Sequence, residues 1–253
     1  MQQLPAALLW DVDGTLAETE LDGHRLAFNR AMAEAGLPWQ WDAERYLSLL
    51  RISGGLERLA FFLQQMEGAP ADPDRVEGLQ RAKQRHYRAL VAAGELQLRP
   101  GVQRLMREAA SAGLPQVIVT TSGRSAVQAL LDRLLPDHPQ LLHRWICGED
   151  VRRKKPDPEA YLQALAGLGL APATTLAIED SANGVAAAHA AGVPVLVTRS
   201  ASSAAEADAA FQDAVAMLDH LGEPHLPSTL LAGSPCPNGC VTVSYLQQLL
   251  RRA

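Results

Sequence analysis

The sequence predicts an α/β fold, a doubly wound parallel sheet carrying a small inserted helical domain, and three observations predict it. A short apolar run, Ala6 to Trp10, ends in two carboxylates and a glycine, Asp11-Val12-Asp13-Gly14-Thr15-Leu16, as a buried strand does on entering a sharp turn. Roughly eighty residues with helical spacing and no strand signal then follow, as far as Arg99-Pro100-Gly101, a shift that marks an insertion. From Pro100 onward strands and helices alternate, which argues for parallel strands with helices on both faces.

Taken in order, Glu18, Thr19, Glu20 and Asp22 lead into a helical pattern through Leu26, Ala27, Met32 and Ala33 that stops near Gly36-Leu37-Pro38. Trp39, Trp41, Tyr46, Leu47, Leu49 and Leu50 make a second apolar helical face, with the two tryptophans assigned to its core. Ile52-Ser53-Gly54-Gly55 breaks the pattern before Leu59, Phe61, Phe62 and Met66, and a loop over 68–74 precedes a long helix over 75–93. Beyond Pro100 the reading is helix 101–112, strand 115–120, helix 125–135, a short strand 145–147, helix 158–168, strand 175–178, helix 182–191 and a last strong strand 193–197. The alanine-rich stretch 201–216 reads as helix. The domain division is therefore 1–17 with 95–253 for the core, and 18–94 for the insert.

Composition narrows the function. With 253 residues, 47% apolar and 20% charged, the chain can bury a sizeable core, which excludes disorder as its main character. A net charge of −5 without a basic block offers no electrostatic case for nucleic acid or an anionic membrane. No apolar stretch has the length of a membrane span, and Met1 to Pro5 has nothing of a signal peptide. Three cysteines, Cys147, Cys236 and Cys240, are too few for a disulfide framework; Cys236-Pro-Asn-Gly-Cys240 reads as a turn with free thiols. The expectation is a soluble monomer in a reducing compartment, cytoplasmic, bacterial or plastid-like.

In a doubly wound sheet ligands bind at the carboxyl ends of the strands, and the polar residues of this chain gather there. Asp11 and Asp13 follow the first strand on one side of the extended chain. Two acids this close repel unless a cation or a proton sits between them, and both solutions serve phosphoryl chemistry. A calcium loop is excluded, because its glycine comes sixth and here it comes fourth after Asp11. Thr120, Thr121 and Ser122 with Gly123 follow the second strand, where hydroxyls and backbone amides can receive a phosphate; alone they would be an ordinary helix cap. Glu179, Asp180 and Ser181, then Asn183-Gly184, follow the fourth, and one shared cation relieves both acidic pairs. Lys155, kept out of helical geometry by Pro156, is placed to neutralise a phosphoryl group.

Together, Asp11-Val-Asp13-Gly-Thr15, the turn at Thr120, Lys155-Pro156 and Glu179-Asp180-Ser181-x-x-Gly184 resemble the four motifs of the haloacid-dehalogenase-like phosphohydrolases, over about residues 6 to 200. The helical insert resembles the small cap of the β-phosphoglucomutase-like branch. Glu18-Thr19-Glu20, Asp22-Gly23-His24-Arg25, the Trp41-to-Leu50 segment, Gly54-Gly55 and Glu57-Arg58 look most like CbbY-type sugar-bisphosphate phosphatases. The resemblance implies a Rossmann-like core and a mechanism. Asp11 would attack phosphorus to give an aspartyl-phosphate, and Asp13 would protonate the leaving sugar oxygen and later deprotonate water. Mg²⁺ would be held by Asp11, the backbone carbonyl of Asp13 and Asp180, with Glu179 as an inner or outer partner. Thr120, the Thr121 amide, Ser122 and Lys155 would bind the phosphoryl oxygens.

Candidates for recognising the rest of a small phosphorylated sugar are Glu20, His24, Gly54, Gly55, Glu57, Arg58, Lys83 and Arg85, each of which could equally be a solvated helix face. A second phosphate would need Arg58, Lys83, Arg85 or Arg124. Where CbbY-type sequences usually carry a lysine after the Gly-Gly pair, this chain has Leu56, which leaves the bisphosphate substrate open. Three readings follow: a Mg²⁺-dependent phosphatase, with xylulose-1,5-bisphosphate a candidate; a sugar-phosphate mutase; and a non-catalytic phospho-acceptor or binding protein. The insert and the complete motif set argue against the last.

Overall fold

The computed structural model describes residues 5–251; the signal-peptide reading of Met1 to Pro5 falls, apart from Pro5, outside the described residues. Strand β1 (Ala7–Trp10) is followed by a π-type turn (Glu20–Arg25) and four helices, α1 (Leu26–Glu34), α2 (Ala43–Leu49), α3 (Gly55–Glu67) and α4 (Pro73–Ala93). The alternating half then runs α5 (Val102–Ser111), β2 (Gln116–Val119), α6 (Arg124–Leu134), α7 (His138–Leu141), β3 (Arg144–Ile146), α8 (Glu159–Leu168), β4 (Thr175–Glu179), α9 (Ala182–Ala190) and β5 (Val195–Thr198). It ends with β6 (Ala216–Leu218), β7 (Leu230–Gly233) and α10 (Val243–Leu250).

The strands form one sheet in the order β3-β2-β1-β4-β5-β6-β7, parallel except for the antiparallel β7. From β1 the chain first builds outward through β2 and β3, then returns to the other side of β1 with β4. The order reverses between β1 and β4, so the crevice of a doubly wound sheet opens there, beyond Asp11, Asp13, Glu179 and Asp180.

Alternation along β1 sorts its side chains. Leu8 and Trp10 join a core under α5, α6 and α10, while Leu9 joins a second core under α8 and α9. Each large apolar side chain buried this way contributes about 1.5–3 kcal/mol. Trp10 can sit fully buried because its indole N–H donates to Gln116 Oε1 at 3.0 Å. A third apolar cluster belongs to the helical layer, where Phe28, Trp41, Tyr46, Phe62 and Leu79 pack together. Helix α4 ties the layers, because Val76 and Leu79 lie in that cluster and Tyr87, Leu90 and Val91 in the sheet's core.

Three expectations are corrected. The second helix begins only at Ala43, because Asp42 accepts from the Arg45 amide at 2.7 Å and caps it, leaving Trp39 and Trp41 ahead of it. Residues 201–216 are not a helix: only a 3₁₀ turn (Asp208–Phe211) forms, and Ala216 opens a strand. There the Arg199 guanidinium donates to the carbonyls of Ser203, Ala204 and Glu206, and the Ser200 and Ser203 side chains bond to nearby backbone, so carbonyls and amides that a helix would use are taken. Val193 to Val197 is not the last strand, since β6 and β7 extend the sheet. Three residues of β6 carry no periodicity, and β7 is exposed along its length at the sheet edge. Among the described residues, no helix is long and apolar enough to cross a membrane.

Candidate active site

Two glycines let the strand ends meet. After Asp13 the chain turns through Gly14 at φ +85°, where a Cβ would lie 2.1 Å from Asp180 Oδ2. On α9, a Cβ at Gly184 would lie 1.9 Å from Glu179 Oε2. Any other residue at either place would separate the acids of β4 from those of β1.

What gathers there is an acidic cluster around one ammonium. Oxygens of Asp11, Glu179 and Asp180 lie within 4.8 Å of one another, all buried. Lys155 Nζ donates to Asp11 Oδ1 at 2.7 Å, to Glu179 Oε1 at 2.5 Å and to the Val119 carbonyl at 2.7 Å. Tyr161 OH donates to Glu179 Oε1 and Ser200 Oγ to Asp180 Oδ2, each at 2.5 Å. Burial, and then Glu179 and Asp13, push the Asp11 carboxyl up to about 8 against the pull of Lys155. Burial and the Asp11 charge likewise drive Asp180 well above the carboxylate range. Burial opposes the Lys155 charge, yet Asp11 and Glu179 carry that ammonium above the ordinary lysine value.

Asp13 points to a different set of partners. Burial alone would raise it, but His24, Ser122 and Thr19 outweigh burial and hold it well below the carboxylate range. His24 Nε2 stands 2.9 Å from Asp13 Oδ1, Thr19 Oγ1 donates to the same oxygen at 2.5 Å, and Ser122 Oγ donates to Oδ2. Behind His24, Lys83 Nζ is 2.9 Å from Nδ1. A charged ammonium only donates, so Nδ1 accepts and the ring proton sits on Nε2, facing Asp13. Burial lowers the Lys83 ammonium to about 8, Asp13 and Glu20 resisting and Arg58 assisting.

Two cavities meet over these groups. A small one of about 70 Å³ is lined by Asp11, Asp13, Lys155 and Asp180 among others. A larger one of about 610 Å³ opens between the helical layer and the turns after β2 and β3, within the usual range for small-molecule sites. Asp13, Glu20, Arg58 and Thr121 line both.

The haloacid dehalogenase-like hydrolase family model matches residues 5–192. The chain belongs to the haloacid dehalogenase-like hydrolases. It is 43% identical over 226 residues, 87% of each chain, to the plasmid protein CbbY of Cupriavidus necator. Its fold superposes with a TM-score of 0.80 on CbbY from Rhodobacter sphaeroides in complex with phosphate, at 39% identity over 86% of this chain and 95% of that one. A mutant of the same Rhodobacter protein, equally similar, was solved in complex with xylulose-(1,5)bisphosphate. The hydrolase is thus a CbbY-like phosphatase.

The residues of this hydrolase fit a hard divalent cation. Glu179 Oε2 is buried and takes no hydrogen bond from any described residue. Two of its three clustered acids are pushed above their normal range by burial and mutual repulsion, which a cation among all-oxygen donors would reverse.

Of the residues singled out in the sequence, Asp11, Lys155, Glu179 and Asp180 share the small cluster, and Asp13, His24, Ser122 and Lys83 form the adjoining chain. Thr120 is buried and its hydroxyl accepts from the Ser122 amide at 3.1 Å. Glu20 accepts from Tyr46 OH, which in turn receives Arg58 Nη1 at 3.1 Å; Arg58 also donates to the carbonyls of Leu49 and Ile52. Glu57, over Gly54, pairs with Lys154 at 2.6 Å, and Gly55 and Leu56 line the large cavity beside them. Arg85, at the rim, pairs with Glu34 at 2.5 Å. Arg124 lines neither cavity; its guanidinium is held by Asp150 at 2.5 Å. The sequence reading missed Thr19, Tyr161 and Ser200, whose hydroxyls reach the acids, and Arg99, which donates to the Gly14, Thr198, Arg199 and Asp219 carbonyls and so fixes the turn after β1. Only Thr19 lay inside a quoted motif.

Proposed function

We propose that this phosphatase hydrolyses a small phosphorylated sugar, with xylulose-1,5-bisphosphate the leading candidate, through an aspartyl-phosphate on Asp11. The observation that carries the reading is Lys155, buried and bridging Asp11 and Glu179, beside a buried Glu179 Oε2 that takes no hydrogen bond from any described residue. Asp11, Asp180 and the Asp13 carbonyl would hold Mg²⁺ with Glu179 beside them, and the ion would offset charge on the phosphoryl oxygens. An Asp11 oxygen forms a bond to phosphorus while the bond from phosphorus to the sugar oxygen breaks, and Asp13 delivers a proton to that oxygen. A phosphate dianion arriving beside Asp13 favours its protonated form, which supplies that proton. Water then attacks the aspartyl-phosphate, Asp13 takes its proton, and inorganic phosphate leaves with Asp11 restored. Lys155, the Thr121 amide and the turn at Thr120 neutralise the transferring group.

Residues 18–94 act in this reading as a cap that closes over the substrate and excludes water. The larger cavity supports a doubly phosphorylated substrate, since Arg58, Arg81, Lys83, Arg85, Arg88 and Lys154 line it against Asp13, Glu20, Glu57 and Glu149. In this reading they would supply the positive charge that is absent at Leu56. We place the protein, as a monomer, in a reducing compartment that keeps Cys147, Cys236 and Cys240 free. The test is a panel of sugar mono- and bisphosphates assayed for free phosphate with Mg²⁺ and with a chelator. Phosphate released only with the metal is the expected result; an isomerised sugar phosphate in place of free phosphate would overturn hydrolysis in favour of a mutase.

A further inference from the structure

Two glutamines outside every motif sit one helical turn apart on α4. Gln80 and Gln84 line the large cavity on either side of Lys83. Positions i, i+3 and i+4 share a helix face, and Val76 and Leu79 turn a neighbouring stripe into the apolar cluster of the helical layer. The stripe of Gln80, Lys83 and Gln84 faces the cavity, which Arg81, Arg85 and Arg88 of the same helix also line.

Both glutamine side-chain oxygens are buried, and neither takes a hydrogen bond from any described residue. Gln80 lies against the start of α3, where a Cβ at Gly55 would stand 3.1 Å from Gln80 Oε1. Gln84 reaches the opposite wall, where a Cβ at Gly123 would stand 3.3 Å from its Nε2. That glycine directly follows Ser122, whose hydroxyl holds Asp13. The two amides therefore flank the path between the helical layer and the reacting acids. A buried polar atom without a partner is costly, and an apolar residue at either position would avoid that cost. A carboxamide both donates and accepts, which matches a hydroxyl, and both side chains line the cavity. The cationic wall residues are matched to anions instead.

We propose that Gln80 and Gln84 read the hydroxyl pattern of the substrate's carbon chain and so determine which phosphorylated polyol or sugar this phosphatase prefers. The proposal rests on the phosphatase reading above. The test compares kcat/KM for the best sugar phosphate of the panel with that for p-nitrophenyl phosphate, which has no sugar hydroxyls, in wild type, Gln80→Leu, Gln84→Leu and the shorter amide Gln84→Asn. A ratio cancels any misfolded fraction, which lowers both numbers alike. Expected is a fall of about tenfold or more in the sugar-to-aryl ratio for either leucine variant, carried by KM, with Gln84→Asn between leucine and wild type. An unchanged ratio overturns the proposal. So does a wild type that hydrolyses p-nitrophenyl phosphate but favours no hydroxylated phosphate, and that result leaves the phosphatase core standing. Hydrolysis of neither overturns the proposed function itself.

Discussion

The acids at the strand ends and the wall of the larger cavity are built on opposite plans. At the strand ends Asp11, Lys155, Glu179 and Asp180 are 0–7% exposed, and each makes short contacts to other buried groups. On the cavity wall the Arg81 and Arg85 side chains are 68% and 54% exposed and paired with surface acids, while two glutamine oxygens take no hydrogen bond from any described residue. A buried cluster pre-organises charge for one reaction wherever that reaction runs. A wall whose partners arrive with the ligand decides what enters. On the proposed reading, chemistry and choice of substrate occupy different elements here: strand-end turns for the first, α4 and the turn at Gly54 for the second.

Damage at the strand ends should therefore be large and blind to substrate. Asp11→Asn should lower phosphate release by about 10⁴-fold or more on sugar and aryl phosphates alike, since it removes the proposed nucleophile. Rates within tenfold of wild type on either substrate would break the assignment; circular dichroism checks that the fold persists. Next in size is Gly184→Ala, whose methyl would meet Glu179 Oε2 at 1.9 Å. The expectation is a loss of about 1–3 kcal/mol in stability together with a weaker Mg²⁺ requirement curve, read by thermal melts and metal titration. The same change at Gly78 in α4, where the nearest atom would be 3.9 Å away, should instead raise stability by up to about 1 kcal/mol.

The same division explains what the sequence disclosed. Asp11, Asp13, Lys155, Glu179 and Asp180 are legible because a parallel sheet delivers every strand end to one rim, so short motifs far apart in the chain need no tertiary knowledge to be joined. Gly14 and Gly184 were legible as motif letters, although only the 2.1 and 1.9 Å approaches explain them. Tyr161 was not, because it stands on α8 at ordinary helical spacing and only packing aims its hydroxyl at Glu179. Arg58, read as a candidate ligand group, spends three donors on Leu49, Ile52 and Tyr46, and no spacing rule distinguishes those uses. Arg124 was drawn in by its place after the hydroxyl turn, but Asp150 holds its guanidinium outside both cavities. The edge strand β7 depends on its pairing with β6, and the knot over 201–206 on the Arg199 side chain taking nearby backbone carbonyls, and helix or strand propensity registers neither.

Lys83 belongs to both regions, since it stands on α4 and acts on Asp13 through His24. Its ammonium, lowered to about 8 by burial, is charged at neutral pH and fixes the His24 proton on Nε2. As pH rises through about 8 the amine becomes neutral and can accept, so the ring proton is free to move to Nδ1 and leaves Nε2 facing the Asp13 carboxylate as a second acceptor. Activity should fall on that side. Lys83→Met should cost about tenfold at pH 7 and abolish this alkaline limb. A limb unchanged in the variant would show that another group titrates there.

The smallest effect sharpens the contrast most. Lys154 Nζ holds both Glu57 oxygens, at 2.6 and 2.8 Å, but the two side chains are 20% and 45% exposed, and such pairs stabilise by about 0–1 kcal/mol. Glu57→Gln should therefore leave the melting temperature within about 2 °C. It releases an ammonium on the cavity wall beside Leu56, where a distal phosphate could take the place of the lost carboxylate. For a sugar bisphosphate KM should drop about two- to threefold at low salt, for the matching monophosphate it should not move, and the gain should fade toward 0.5 M salt as screening shortens. A gain shared by both substrates would mean that the wall does not separate the two phosphates. A loss of kcat would mean that Glu57 works with the buried acids, and the boundary between the two regions would have to be redrawn on the near side of Gly54.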